Sequence, residues 1–359
     1  MNKCISIVVP VFNEEENIDP LLERLGSIAR HIRDEFGMKI EVIINDNHST
    51  DRTFDMLRAC AERHDPMAFD LRLFRFARNI GFQKSILVGY CKARGDVVAQ
   101  IDADLQDPPE LILEFLRKWR EGYKVVYGIR RHRDEGVVMQ ALRRLFYRLI
   151  DRISADDLPH DSGDFRLIDR SMVDIICKLR DHDPYLRGFV ATLGLKQIGI
   201  PYDREARQRG ASKFGVSELA KLAIDGITNH SAFPLRLASY VGLAGVLVAT
   251  VLILYYFCAW LFFAAELPLG FLTQTLLQLG GLAALSFLIA IQGLYINRIY
   301  NQVKERPLAI IELSLCKEVG NERGSLGAVT AIEVLWTGET VSSAPPHSPF
   351  IGSQEQDRR

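Results

Sequence analysis

Short apolar runs alternate with amphipathic helical patterns through the first 130 residues of the chain. β-Branched and aliphatic runs of this length predict buried strands, and the spacing of apolar residues between them predicts helices. The runs lie at residues 5–11, 40–44, 71–76, 97–101 and 124–128. This alternation predicts an α/β fold with a doubly wound, mostly parallel sheet. Ligands bind such sheets at the carboxyl ends of the strands, and polar residues cluster after the predicted strands here.

An acidic cluster follows the fourth apolar run. Asp102 and Asp104 stand two residues apart, with Gln106 and Asp107 just beyond them, and Pro108 then opens a predicted helix. Crowded oxygen ligands suit Mg²⁺ or Mn²⁺, which bind through a few carboxylates together with substrate phosphates. A solvated acidic turn is the alternative interpretation. The buried strand before the cluster, and the polar clusters after other strands, favour a metal–diphosphate site.

The pattern changes after Gly136. Residues 137–155 combine an apolar stripe with several arginines, and residues 215–230 form a second amphipathic segment. Basic amphipathic helices are suited to the membrane interface, so both segments are predicted to be juxtamembrane helices. The alternative for the first segment is an ordinary surface helix that packs against the sheet.

Two long uncharged stretches follow these helices. No residue is charged between Arg236 and Glu266, or between Glu266 and Arg298. About 20 apolar residues suffice to cross a bilayer, so transmembrane spans are predicted at about 237–263 and 271–296. A buried globular hairpin is the alternative. Lys and Arg flank the pair of spans but are missing from the loop between them, which predicts that both chain ends are cytoplasmic.

These patterns divide the chain into three parts. Residues 1–230 are predicted to form a cytoplasmic domain, residues 231–306 a transmembrane hairpin, and residues 307–359 a cytoplasmic tail that is partly disordered. The net charge of −1 gives no argument for nucleic-acid binding. The six cysteines show neither a C-x-x-C motif nor a paired pattern. A reducing compartment is therefore expected, and a zinc or disulfide framework is not.

Six motifs, taken in order, resemble one enzyme family. They are residues 7–15, 46–51, 78–81, 102–110, 163–167 and 207–213. The chain resembles the family 2 glycosyltransferases with the GT-A fold, a Rossmann-like α/β fold. Within that family it is similar to the polyprenyl-phosphate glycosyltransferases of the bactoprenol glucosyltransferase and dolichol-phosphate mannose synthase type. The resemblance spans roughly residues 5 to 306 and includes both predicted spans.

The resemblance implies a role for each matched position. Sugar-nucleotide binding is assigned to Pro10, Asn13, Glu15, Asp46, Arg78, Lys84, Asp102 and Ser212. The metal is assigned to Asp104 and Gln106, and the catalytic positions are Asp164, Arg207 and Lys213. Asp46 would read the edge of the base. The family often has Asp-Gly at the next positions, where this chain has Asn47 and His48, so the identity of the nucleotide stays open.

The reaction implied is a single inverting displacement that depends on Mg²⁺ or Mn²⁺. A hexose, by default glucose, would pass from a UDP-sugar to undecaprenyl or another polyprenyl phosphate in a bacterial plasma membrane, for cell-envelope glycan modification. Arg207 and Lys213 would offset the charge of the departing UDP. A phosphomonoester with a second pKa of about 6 is largely dianionic at neutral pH. Asp164 would therefore orient the acceptor or act as a base, and both roles stay open.

Other functions remain as alternatives. They are a GDP-mannose-dependent polyprenyl-phosphate mannosyltransferase, a UDP-aminosugar or aminoarabinose transferase, and a sugar-nucleotide sensor without catalysis. A processive polysaccharide synthase is disfavoured because residues 140–144 lack the Trp of its Gln-x-x-Arg-Trp motif. Two spans are compatible with a homo-oligomer, but the sequence fixes neither the number of subunits nor the sugar.

Overall fold

The computed structural model describes most of the chain. It covers residues 3–62, 68–131, 162–181, 184–204, 271–304, 306–317 and 332–336, with single positions between 240 and 254. The strands are β1 (Cys4–Val11), β2 (Lys39–Asp46), β3 (Asp70–Phe76), β4 (Val97–Gln100), β5 (Val125–Arg130), β6 (Ser162–Asp169), β7 (Gln197–Tyr202), β8 (Ala309–Lys317) and β9 (Glu333–Leu335). The helices are α1 (Ile18–Phe36), α2 (Thr53–Glu62), α3 (Phe82–Lys92), α4 (Leu111–Arg120), α5 (Arg170–Ile176), α6 (Leu186–Thr192) and α7 (Phe271–Val303).

All of these strands join one sheet, in the order β7-β5-β6-β4-β1-β2-β3-β8-β9. The central strands β4, β1, β2 and β3 are parallel, as the sequence predicts. β6 pairs antiparallel with β4, and β8 pairs antiparallel with β3, so these strands flank the parallel centre. The chain winds outward through β1, β2 and β3 and then returns to place β4 on the other side of β1. This change of direction creates the crevice in which open α/β sheets bind ligands.

Helices cover both faces of the sheet. One apolar cluster packs α1, α2 and α4 against the strands, and a second cluster packs α3, α5 and α6 against the opposite face. The residues of β1 and β2 are almost all buried, because both strands lie at the centre of the sheet between these two layers. The amphipathic stripe of α1 faces the core, as its helical periodicity requires. This rigid layered core fixes the positions at which the strands end.

No strand is expected from the sequence in residues 307–359. The structure places β8 and β9 there, and both extend the sheet beyond β3. The sequence pattern likewise predicts neither β6 nor β7, and the motif at residues 163–167 lies within β6. The predicted disorder of the last twenty or so residues concerns positions outside those described.

Helix α7 contains the second predicted span. Its residues Gly280–Val303 are long and apolar enough to cross a membrane, with a mean hydropathy of 1.5. In the described part of the chain this is the one helix that meets that criterion. The first predicted span, apart from single positions, and the interfacial helices at 137–155 and 215–230 lie outside the described residues. The two-helix hairpin therefore stays a prediction.

The expectation that the cysteines form no disulfide framework is wrong for one pair. Cys91 at the end of α3 and Cys177 just after α5 form a disulfide, with their Cα atoms 5.5 Å apart. The two residues are 86 positions apart in the chain, so no local spacing could indicate the pair. The packing of α3 against α5 on one face of the sheet brings them together.

Candidate active site

The carboxyl edge of the parallel strands gathers most of the predicted site residues. Val11 at the end of β1 lies opposite Asp46 at the end of β2, because the two strands run parallel and in register. Asp102 and Asp104 follow β4, the neighbour of β1 on the other side. Asp164 lies in β6, the strand next to β4. The sheet topology thus brings together carboxylates that are far apart in sequence.

The loop after each of three central strands adopts an unusual backbone conformation. Among the described residues, the non-glycine positions with positive φ are Asn13 at 55°, His48 at 62° and Leu105 at 56°. These residues follow β1, β2 and β4, respectively. A left-handed conformation at a non-glycine residue costs energy and is found preferentially at ligand sites. The strain therefore marks the same edge as the acidic residues.

The loops after β1 and β2 are joined by hydrogen bonds. The Asn13 backbone N–H donates to Ser49 Oγ at 3.0 Å, and Asn13 Oδ1 accepts from the Thr50 backbone N–H at 2.8 Å. Glu15 Oε2 accepts from the Arg52 backbone N–H at 3.1 Å, near the start of α2. Asn13 and Glu15 thus connect the loops after β1 and β2 at the carboxyl edge of the sheet.

The end of β2 carries buried acceptor atoms that lack partners. Asp46 is fully buried, and its Oδ1 accepts from the Ser49 backbone N–H at 3.1 Å. Asp46 Oδ2, Asn45 Oδ1 and Asn47 Oδ1 have no hydrogen-bond partner among the described residues. Buried polar atoms are nearly always paired, so acceptors without partners at three consecutive residues single out the end of β2 as a candidate binding position for N–H or O–H donors. Burial raises the pKa of Asp46, and the Ser49 bonds and Arg75 only partly oppose this.

The acidic cluster after β4 is crowded. Burial, together with the charges of Asp107, Asp164 and Asp104, raises the pKa of Asp102 to about 8. Asp104 Oδ1 accepts from the Gln106 backbone N–H at 3.1 Å, and Asp102 Oδ1 accepts from Gln100 Nε2 at 3.4 Å. Carboxylates held this close repel one another in their charged forms, and a cation relieves that repulsion.

The donor set fits a hard divalent cation that binds partly through its substrate. The described residues contain no group of three or more His, Cys, Asp or Glu side chains that could hold a metal by themselves. Mg²⁺ and Mn²⁺ commonly need only one or two carboxylates when phosphate oxygens supply further ligands. Asp102, Asp104 and the amide oxygen of Gln106 are oxygen donors of this kind.

The carboxylate of Asp107 is bonded to other side chains of the protein. It is buried, and its Oδ1 accepts from the Tyr202 hydroxyl at 2.5 Å, while Arg130 Nη2 donates to Oδ2 at 3.1 Å. Arg204 Nε lies 3.4 Å from Asp107 Oδ1, and Arg204 Nη2 lies 3.8 Å from Asp104 Oδ2. Sequence reasoning did not find Arg130, Tyr202 or Arg204 as neighbours of the acidic cluster. They come from β5 and from the end of β7, and no motif marks them.

Asp164 lies between two arginines. Arg187 Nη2 is 3.0 Å from Asp164 Oδ2, and Arg166 Nη2 is 3.3 Å from Asp164 Oδ1. Burial raises the pKa of Asp164, but the charges of Arg187 and Arg166 outweigh it and hold the pKa below its ordinary value. Asp164 is therefore ionised at neutral pH. Arg187 lies in the first turn of α6 and is not among the predicted site residues.

Three further predicted residues lie in β1, in the loop after β3 and near the start of α3. Pro10 lies in β1 opposite Asn45, Arg78 is exposed in the loop after β3, and Lys84 is half-buried near the start of α3. Arg207, Ser212 and Lys213 lie outside the described residues, so their predicted roles are untested.

Comparison with known proteins identifies the family. Residues 6–176 match the model for glycosyl transferase family 2. An uncharacterized glycosyltransferase of Bacillus subtilis, YkcC, is 37% identical over 312 residues, which cover 86% of this chain and 93% of that protein. The chain belongs to glycosyl transferase family 2. The GT-A type α/β fold with its mostly parallel sheet and the family expected from the motifs are thereby confirmed, and the protein is a glycosyltransferase.

Two further relatives of this glycosyltransferase carry more specific names. The SfII prophage-derived bactoprenol glucosyl transferase of Shigella flexneri is 35% identical over 317 residues, covering 86% of this chain and 98% of that protein. The prophage bactoprenol glucosyl transferase homolog of Escherichia coli K12 is 34% identical over 315 residues, with the same coverage. The similarity extends far beyond residue 176, where the family match ends.

Proposed function

We propose that this glycosyltransferase moves a hexose, by default glucose, from a UDP-sugar to a polyprenyl phosphate. One observation carries the proposal. Unpaired buried acceptors at the end of β2 and crowded carboxylates after β4 flank the same crevice, on either side of β1. A nucleoside diphosphate carries groups that suit these two clusters, in the same order along its length. Its base offers N–H donors, and its diphosphate offers oxygens for a shared cation.

The donor nucleotide would lie across the end of β1. Asp46 would accept a hydrogen bond from the base, and Asp102 would contact the ribose or the sugar. Asp104, with Gln106, would hold Mg²⁺ or Mn²⁺. The bound ion would offset negative charge on the leaving diphosphate. Arg207 and Lys213, both outside the described residues, would add positive charge at the same group, as the family motif implies.

The transfer would be a single displacement with inversion at the anomeric carbon. An oxygen of the acceptor phosphate attacks that carbon, the bond to the diphosphate breaks, and the nucleoside diphosphate leaves with the bonding electrons. The acceptor phosphate needs little help from a base, because it is largely dianionic at neutral pH. Asp164, held ionised by Arg187 and Arg166, would orient the acceptor and the sugar.

A lipid acceptor is supported by two findings. Relatives at 34–35% identity are named bactoprenol glucosyl transferases, and helix α7 has the length and hydropathy of a membrane span. We infer an integral membrane enzyme with its catalytic domain and both chain ends in the cytoplasm. This topology follows from the basic residues that flank the uncharged stretches. Resistance of the full chain to extraction by alkaline carbonate would test the membrane assignment.

The identity of the donor is the least constrained part of the proposal. Asn45, Asp46 and Asn47 present acceptor oxygens, and both uracil and guanine carry N–H groups that these could bind. GDP-mannose and UDP-aminosugars, including aminoarabinose derivatives, are therefore the alternative donors. A sensor that binds the nucleotide without turnover is a further alternative.

The deciding experiment is a donor screen with the full chain in detergent. The protein is incubated with Mn²⁺, undecaprenyl phosphate and each radiolabelled UDP- or GDP-sugar in turn, and label in the organic phase is counted. We expect label transfer from UDP-glucose, and its loss on treatment with EDTA. Transfer from another donor would correct the sugar. Nucleotide binding without transfer from any donor would overturn the enzymatic proposal in favour of the sensor.

A further inference from the structure

The strand that follows the long apolar helix reaches the predicted nucleotide pocket. β8 pairs antiparallel with β3, and its register shifts where Arg75 faces Leu313 and Phe76 faces Ile311. Glu312 is thus the extra residue of a β-bulge. Bulges re-aim side chains and are frequent beside active sites. Here the bulge directs Glu312 to the side chain of Arg75.

Arg75 is shared between two carboxylates. Its Nε lies 3.0 Å from Glu312 Oε1 and 3.6 Å from Asp46 Oδ2. Neither contact has hydrogen-bond geometry at Nε, so both are charge–charge contacts. The guanidinium carbon also lies 4.3 Å from the centre of the Phe54 ring, and this contact limits the orientation of the side chain. Glu312 is the closer of the two acids, so it competes with Asp46 for the arginine.

This arrangement keeps one oxygen of Asp46 available. Asp46 Oδ2 is buried and has no hydrogen-bond partner among the described residues, although a guanidinium lies within 4 Å. An arginine beside a carboxylate ordinarily forms short, charge-assisted hydrogen bonds with it. A shift of the Arg75 side chain by less than about 1 Å would close the gap to such a bond. The counter-attraction of Glu312 opposes that shift.

We propose that Glu312 is a positioning residue for donor recognition, which restrains Arg75 and so leaves Asp46 Oδ2 available to the N–H groups of the donor base. The inference rests on the proposed function, in which Asp46 reads the base. Glu312 Oε1 lies 3.0 Å from Arg75 Nε and 4.0 Å from His48 Nδ1. It acts through Arg75, and it belongs to the segment that the sequence analysis treats as a tail.

The test measures binding of UDP, with GDP in parallel, to the full chain in detergent with Mn²⁺. We expect Glu312→Gln and Glu312→Ala to raise the Kd for UDP by about three- to tenfold, since the released guanidinium competes with the base for Asp46. Binding of inorganic pyrophosphate should not change, because it has no base. Glu333→Gln is the matched control, since it breaks the ion pair of β9 with Lys92 without touching Arg75.

A double-mutant cycle separates positioning from a general loosening of the strand. In an Arg75→Met background, Glu312→Gln should have no further effect on the Kd for UDP. An equal effect in both backgrounds, an equal effect of Glu333→Gln, or no effect of either Glu312 variant would overturn the inference. Asp46→Asn tests the underlying assignment. Unchanged nucleotide binding in Asp46→Asn would overturn base reading by Asp46 itself, whereas weakened binding in that variant alone would overturn only the role of Glu312.

Discussion

At the scale of single residues, the surroundings of Asp164 decide which role it can take. A general base must be able to accept a proton near the working pH, and enzymes raise the pKa of such carboxylates by burial. Arg187 and Arg166 do the opposite to Asp164, because their charges hold its pKa below the ordinary value. An ionised carboxylate fixed by two guanidinium groups is suited to orienting a substrate.

This role predicts the pH dependence of Asp164→Asn. Transfer by the wild type should rise with pH around about 6, as the acceptor phosphate loses its second proton. The variant should be slower by about tenfold or more at every pH, because the substrates are less well oriented, but its midpoint should not move. Initial rates between about pH 5 and 8 check this. Loss of the rising limb in the variant would instead identify Asp164 as the base.

Asp104 should control the response to metal. We expect Asp104→Asn to raise the Mn²⁺ concentration needed for half-maximal transfer by about tenfold or more, since one charged ligand is replaced by a neutral one. Titration of the EDTA-treated enzyme with Mn²⁺ measures this value. Asp19→Asn, at an exposed position in the first turn of α1, is the control. An unaltered metal requirement in Asp104→Asn would remove Asp104 from the metal site.

At the scale of secondary-structure elements, α3 must approach the sheet closely to form the pocket. A Cβ atom on Gly89 would lie 2.2 Å from Val8 Cγ1 and 2.9 Å from Asn45 Nδ2. Asn45 Nδ2 donates to the Ser85 backbone oxygen at 2.7 Å, so the same helix also orients one of the pocket amides. Glycine at position 89 therefore sets the distance between α3 and the end of β2.

The prediction is that Gly89→Ala destabilises the protein and weakens UDP binding. Overpacking of this kind costs about 1–3 kcal/mol, and the helix must shift away from Asn45 to relieve it. Thermal unfolding in detergent and the Kd for UDP check both effects. Gly26→Ala is the matched control, because nothing lies within 4 Å of the added Cβ atom. It should be neutral or stabilise α1 by up to about 1 kcal/mol.

Sequence patterns were informative for elements with local signals and silent for the others. The central parallel strands are buried on both faces, so they appear as continuous apolar runs and were predicted correctly. β6 contains Asp164 and Arg166, whose charges obscure the strand pattern although Arg166 is buried. β7 contains Gly199 and Pro201, and both residue types weaken a strand pattern. The site residues in strand-end loops were predictable, whereas Arg187 and Tyr202 depend on packing that no motif records.

At the scale of the whole molecule, the sheet is completed by residues from the far end of the chain. β8 pairs with β3 across more than 230 positions of sequence, since Arg75 faces Leu313. A strand this distant cannot be inferred from local periodicity, particularly when long apolar stretches intervene. No strand is predicted in the tail, and the structure adds β8 and β9 to the sheet beyond β3.

Two truncated chains test how much β8 and β9 contribute to thermal stability and to UDP binding. Ending the chain after Arg306 removes β8 and β9 and leaves the backbone of β3 without its neighbour, so we expect lower thermal stability and weaker UDP binding. Ending it after Trp336 keeps every described strand and should preserve both properties. Thermal unfolding and UDP titration compare the variants. Equal stability of the two truncations would show that the added strands are dispensable.

The direction of β8 has a consequence for how the reactants meet. Because β8 is antiparallel to β3, it begins at the carboxyl edge, and only five residues separate it from Val303 at the end of α7. A chain of that length reaches at most about 20 Å. Under the proposed membrane assignment, the helix acts as a tether that confines the reactive edge to the layer in which the lipid phosphates diffuse. The enzyme and its acceptor then search for each other in two dimensions, and only the soluble donor arrives from the bulk.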